Sequence, residues 1–136
     1  MFWNRIGATA RLGVLALGMA AMACSSGNVL GPDNQPEVNN QTDTFQWQVT
    51  AMENISQTLT YTWQNTGTTA NVNQSPALSG GSASLVIEDA SGTEVYSRSF
   101  SQSGTFTTDS GLAGAWTIRV TISSASGALN FRVEKP

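Results

Sequence analysis

The chain contains no histidine and a single cysteine among 136 residues, and charged side chains make up only 11% of it. Without histidine it lacks the commonest general base and the commonest transition-metal ligand. A Ser-His-Asp triad or a Cys-His pair is therefore out of reach. One thiol cannot form a disulfide within the chain. Cations are few: Arg5 and Arg11 near the start, then only Arg98, Arg119, Arg132 and Lys135, whereas all nine acids follow residue 23. Four scattered cations against nine acids leave that part at −5 and cannot neutralise a run of phosphates, so no nucleic-acid partner is expected. Long apolar runs are also missing. The uncharged stretch Leu12 to Ala23, LGVLALGMAAMA, has 12 residues, and a membrane-crossing helix needs about 20.

That stretch, preceded by Arg5 and Arg11, has the form of a secretory signal peptide: a basic start, a short apolar segment and small residues at the end. Residues 1–23, Trp3 included, are set apart as the signal segment, with cleavage expected between Ala23 and Cys24. Ala21-Met22-Ala23-Cys24 resembles the lipobox of bacterial lipoproteins. The resemblance implies a diacylglycerol on the Cys24 thiol, often a further acyl chain such as palmitate on the new amine, and the membrane as partner. Ala21 stands where that family usually has Leu, and Ala21-Met22-Ala23 also meets the A-x-A rule for ordinary signal cleavage, whose product is a soluble protein with a free Cys24. Ser25, rather than Asp, after the cysteine implies by the same resemblance a place in the bacterial cell envelope at the outer membrane. Each buried CH₂ of an acyl chain contributes about 0.8 kcal/mol, so two or three chains anchor stably where one does not.

Ser25 to Asp43, SSGNVLGPDNQPEVNNQTD, has two prolines, many amides and no period of 2 or 3.6. This is linker composition. Residues 24–43 are expected to form a lipidated amino end and flexible tether, and nineteen flexible residues span about 25 Å root-mean-square.

From Thr44 the pattern changes to period 2, the mark of half-buried strands. Phe45, Trp47 and Val49 alternate with Gln46, Gln48 and Thr50, and Leu59, Tyr61 and Trp63 with Thr60, Thr62 and Gln64. Ala83, Leu85 and Ile87 form a strand whose partner runs from Val95 to Phe100. Trp116, Ile118, Val120 and Ile122 follow, then Leu129, Phe131 and Val133. Turn signals lie at Asn65-Thr66-Gly67, Ser79-Gly80-Gly81, Asp89-Ala90-Ser91-Gly92, Gln102-Ser103-Gly104 and Ser126-Gly127. The pattern predicts an all-β domain over 44–135, an antiparallel β-sandwich of about seven or eight strands, with a small β-barrel as the alternative. In the last predicted hairpin, a two-residue Ser126-Gly127 loop would set Arg119 opposite Glu134. A four-residue loop would instead set it opposite Arg132. Cross-strand charge favours the tighter register.

Ser84 to Val95, SLVIEDASGTEV, and Gly114 to Val120, GAWTIRV, followed by Gly127 and Asn130-Phe131-Arg132-Val133, resemble the pre-peptidase C-terminal domains of secreted bacterial proteins. The resemblance covers roughly Leu59 to Glu134 and implies an accessory, non-catalytic sandwich. The acidic pattern common ahead of the hairpin strand in those domains is replaced here by Gly81-Ser82-Ala83.

No catalytic residue, cofactor or enzymatic activity is expected. Two carboxylates suffice for glycoside hydrolysis, but Glu88, Asp89 and Glu94 fall on or beside one surface turn, where solvated acids belong. Asp89 and Asp109, both in loops, are the weak candidates for a calcium ion, against the simpler reading that Asp89 nucleates its turn. Trp47, Trp63 and Tyr96 are the aromatic candidates for ligand contact, with a sugar or peptide as ligand. Each tryptophan falls in register with aliphatic neighbours, the pattern of a core residue. Taken together, these readings describe a lipid-anchored envelope protein with a structural or binding sandwich, its partner an envelope protein or a polysaccharide.

Overall fold

A computed structural model of the protein describes residues 29–136, so the signal segment, Ala23 and Cys24 lie outside the described residues. Seven strands follow a 3-10 turn at Pro32–Asn34: β1 (Glu37–Gln41), β2 (Thr44–Asn65), β3 (Asn71–Gln74), β4 (Ala77–Glu88), β5 (Glu94–Ser99), β6 (Gly104–Thr107) and β7 (Gly114–Glu134). Every pairing is antiparallel. The strands form one hydrogen-bonded sheet that does not close into a barrel.

Two very long strands, 22 residues in β2 and 21 in β7, run side by side and bend together. Thr44 to Val49 pairs with Leu129 to Glu134, flanked by β1 on one side and by β3 and β6 on the other. Gln57 to Asn65 pairs with Gly114 to Ile122, with β4 and β5 beyond. Between these halves the β2–β7 register shifts repeatedly from Val49 to Gln57, and Ala51, Asn54, Ser124 and Gly127 all have positive φ. Bulges of this kind sharpen a sheet's bend into a corner, and here they carry both strands from one layer of the sandwich to the other.

The bend stacks the period-2 apolar stripes of the two layers face to face. The indole Nε1 of Trp47 donates to the hydroxyl of Tyr61 at 2.8 Å, joining the two halves of β2 across the core. Phe131 stacks on Phe45 and Trp47 at centroid separations of 5.9 and 5.5 Å, and Trp63 meets Trp116 edge-on at 6.0 Å. Offset and edge-on aromatic pairs add about 0.5–1.5 kcal/mol beyond their buried area. At the end away from the corner, the Asp43 amide donates to the Gln64 carbonyl and the Lys135 amide to the Asp43 carbonyl.

Three expectations are corrected. The first is the tether. Residues 30–43 belong to the fold: Leu30 packs on the core, Asn34 is buried, and β1 pairs with β2 from Glu37↔Gln48 to Gln41↔Thr44. β1 is exposed along its whole length, so it carries no apolar period to read. The second is the last hairpin, which does not exist. Ser123 pairs with Ser82 and Ala128 with Ala77, so Arg119 faces neither Glu134 nor Arg132; it lies between Thr60 and Val86 and bonds Glu88 of β4 at 3.4 Å. The third is the Ser79-Gly80-Gly81 turn, which is an irregular stretch of β4. Gly81 (φ +72°) and Gly127 (φ +115°) serve the corner: a Cβ on Gly81 would strike the Ser124 carbonyl, and one on Gly127 the Ala77 carbonyl. Other expectations hold in the structure: the strand of Ala83, Leu85 and Ile87 has its partner at Glu94–Ser99, one residue earlier than the expected Val95 to Phe100, and the turns at 65–67 and 89–92 are present.

Candidate functional site

The aromatic candidates are all interior. Trp47 and Trp63 keep 1% and 0% of their surface and Tyr96 6%. No sugar ring can stack on them in this conformation, which corrects their reading as ligand contacts. Each has an internal polar partner as well: Trp63 Nε1 donates to the Gln41 carbonyl at 2.9 Å, and the Tyr96 hydroxyl to Gln74 Oε1 at 2.7 Å. Burial pushes the Tyr96 phenol up to about 12. Gln74, itself buried, returns two bonds from Nε2 to the Ser99 and Gln102 carbonyls, so β3 of one layer fastens β5 of the other through a satisfied polar contact.

Asp89 is a turn residue. Its Oδ1 accepts from the Ser91 and Thr93 amides and the Ser91 hydroxyl, and its Oδ2 from the Leu112 amide at 2.9 Å. Donation by the Leu112 amide, then by Ser91 and Thr93, holds the carboxylate down at about 2. Both oxygens are already engaged by donors, which a cation would have to displace. Asp109 is fixed by its amide to the Val95 carbonyl. Among the described residues, no group of three acidic, thiol or imidazole side chains could hold a metal ion.

The structure brings other residues together beside Asp109. A polar cleft of about 270 Å³ between β5 and β6 is lined by Glu94, Ser97, Arg98, Thr107 and Asp109. Three of the four described cations form ion pairs, Arg119 with Glu88, Arg132 with Glu134 and Lys135 with Asp43. Arg98 forms none among the described residues. Its guanidinium lies 3.9 Å from the Phe106 ring centroid and donates to Gln102 Oε1 at 3.1 Å. The contact of Arg98 with Phe106 carries no signal in the sequence, because only the chain reversal at 100–103 brings β6 under that side chain. A more apolar groove of about 380 Å³ runs along β4, lined by Pro76, Leu78, Ala83 and Phe100 among others.

No family model matches the chain, and comparison with curated proteins gives no match.

Proposed function

We propose that this protein is a lipoprotein of the bacterial cell envelope, acylated at Cys24, whose β-domain has a structural or binding role and no catalytic one. The observation that carries the reading is the position of the only cysteine: directly after a 12-residue uncharged stretch that ends Ala21-Met22-Ala23 and is preceded by Arg5 and Arg11. A lone thiol at that position has a definite chemistry: its sulfur takes the diacylglyceryl group of a phospholipid, the C–O bond to the phosphate headgroup breaking and the thiol proton leaving as the thioether forms. The non-catalytic half of the reading is supported by the absence of histidine and by tryptophans committed to the core.

The test is partition of the full chain, expressed with its leader in a two-membrane bacterium, between water and a phase-separating detergent. The native protein is expected in the detergent phase, with an acylated amino-terminal peptide by mass spectrometry, and Cys24→Ala in the aqueous phase. A native protein found in the aqueous phase, beginning at an unmodified Cys24, would establish ordinary cleavage and a soluble product instead.

A further inference from the structure

We infer that the bulged corner of the sandwich is the face apposed to lipid headgroups, and that the opposite end points into the aqueous space. The inference rests on acylation at Cys24 and concerns what the fold does with it. The chain enters the domain at a fixed place. The Leu30 amide donates to Gln57 Oε1 at 2.9 Å and the Gly31 amide to Asn34 Oδ1 at 2.9 Å. Asn34 Nδ2 in turn reaches the Thr50 and Ala51 carbonyls at 3.0 Å each. These are corner residues of β2, so entry point and corner are one locality.

Between Cys24 and Val29 there are five peptide steps, which can reach at most about 18 Å however they are arranged. The nineteen-residue tether expected from composition would have had a contour of about 65 Å and imposed no orientation. With the longer lead-in taken up by the fold, the corner cannot stray from the anchor by more than those few steps. Val29, half exposed, and the hollow formed by Pro32, Asp33, Ala51 and Glu53 then lie nearest the bilayer. Asp33 and Glu53 are the only charges in that hollow. The surface is thus held against headgroups by covalent restraint, with no attraction of its own for anionic lipid.

The acylated protein, isotope-labelled and reconstituted in phosphatidylethanolamine–phosphatidylglycerol nanodiscs carrying a gadolinium-chelate headgroup, reports its orientation through amide relaxation. Loss of signal is expected at Asp33, Glu53 and Ser124, with signal retained at Thr66, Ser91 and Gly111. Inserting a flexible Gly/Ser segment of about twenty residues between Gly27 and Asn28 is expected to abolish the difference. A uniform or reversed gradient in protein shown by mass spectrometry to be acylated would overturn the orientation and leave the anchor standing. Absence of the acyl group would remove the anchor and the orientation with it. A gradient that survives the insertion unchanged would show that the domain's own surface, and not the short tie, sets the orientation, and would overturn the inference as argued.

Discussion

Asp89 shows how one side chain can hold a turn and couple it to pH. Its carboxylate gathers donors from Ser91, Thr93 and Leu112, tying the β4–β5 turn to the segment that leads into β7. Because the folded group titrates at about 2 against an ordinary 3.8, the unfolded chain binds the proton first. The stability Asp89 contributes is therefore complete above about pH 4 and lost as the pH falls toward 2. Thermal melts of the native protein and Asp89→Asn should differ most near neutrality and converge at the acid end. Parallel curves would show that the carboxylate charge is irrelevant. Tyr96 makes a complementary case in the core. Tyr96→Phe leaves Gln74 Oε1 buried without its donor, which should cost about 1–3 kcal/mol in denaturant unfolding. Because its phenol titrates near 12 when folded and 10.0 is its ordinary value, the native protein should also lose stability between about pH 10 and 12. Sequence marked Asp89 as a turn residue from its neighbours Ser91 and Gly92. It could not show that Val95 and Tyr96 are both buried, because that depends on a register irregularity after Ile87 in a strand pairing.

Among the elements, alternation read the core well. Phe45, Trp47, Val49, Trp63, Trp116, Ile118, Val120, Leu129, Phe131 and Val133 all face inward as their period-2 spacing requires. What alternation could not read is continuity. Ser126-Gly127 has the composition of a hairpin turn, but Gly127, with its positive φ, lies inside β7 at the register shifts against β2 and β4, where the chain bends and does not reverse. A glycine at +115° serves either purpose, and the choice depends on which distant strand lies alongside. β1 was illegible for another reason: a strand exposed on both faces carries no apolar pattern. The corner gives a matched prediction. Gly81→Ala and Gly127→Ala force Cβ atoms onto backbone carbonyls at left-handed φ, and each should destabilise by about 3 kcal/mol through strain and overpacking. Gly80→Ala, one residue away, meets nothing within 4 Å and should stay within about 0.5 kcal/mol of the native protein. Equal losses at Gly80 and Gly81 would mean that corner geometry does not govern this stretch.

For the whole molecule, charge and attachment are separate matters. Beyond residue 23 the chain is net negative and three of its four cations are paired internally. The folded domain should therefore have no affinity of its own for anionic bilayers, and the proposed attachment would fall to acyl chains at Cys24 alone. Cys24→Ala should accordingly fail to co-sediment with vesicles at any fraction of phosphatidylglycerol, at low salt as at high. Binding that grows with anionic lipid would refute this. The long shared corner also makes the fold indivisible. Deleting residues 129–136 removes the middle of one layer, where β7 joins β2 to β3, and should abolish the cooperative melt.

The pairing of β2 with β7 also fixes an order of events in time. β2 is the first long strand to be made and β7 the last, and Thr44, which has Gln41 of β1 on one side, finds its other neighbour in Glu134. A polypeptide emerging amino end first, from a ribosome or from a narrow pore in a membrane, must hold Phe45, Trp47 and Trp63 without their β7 partners until that strand has arrived. Its folding clock starts with the arrival of β7. Were the chain exported as proposed, this would be an advantage, since a chain that cannot close early remains a thread for as long as it is in transit.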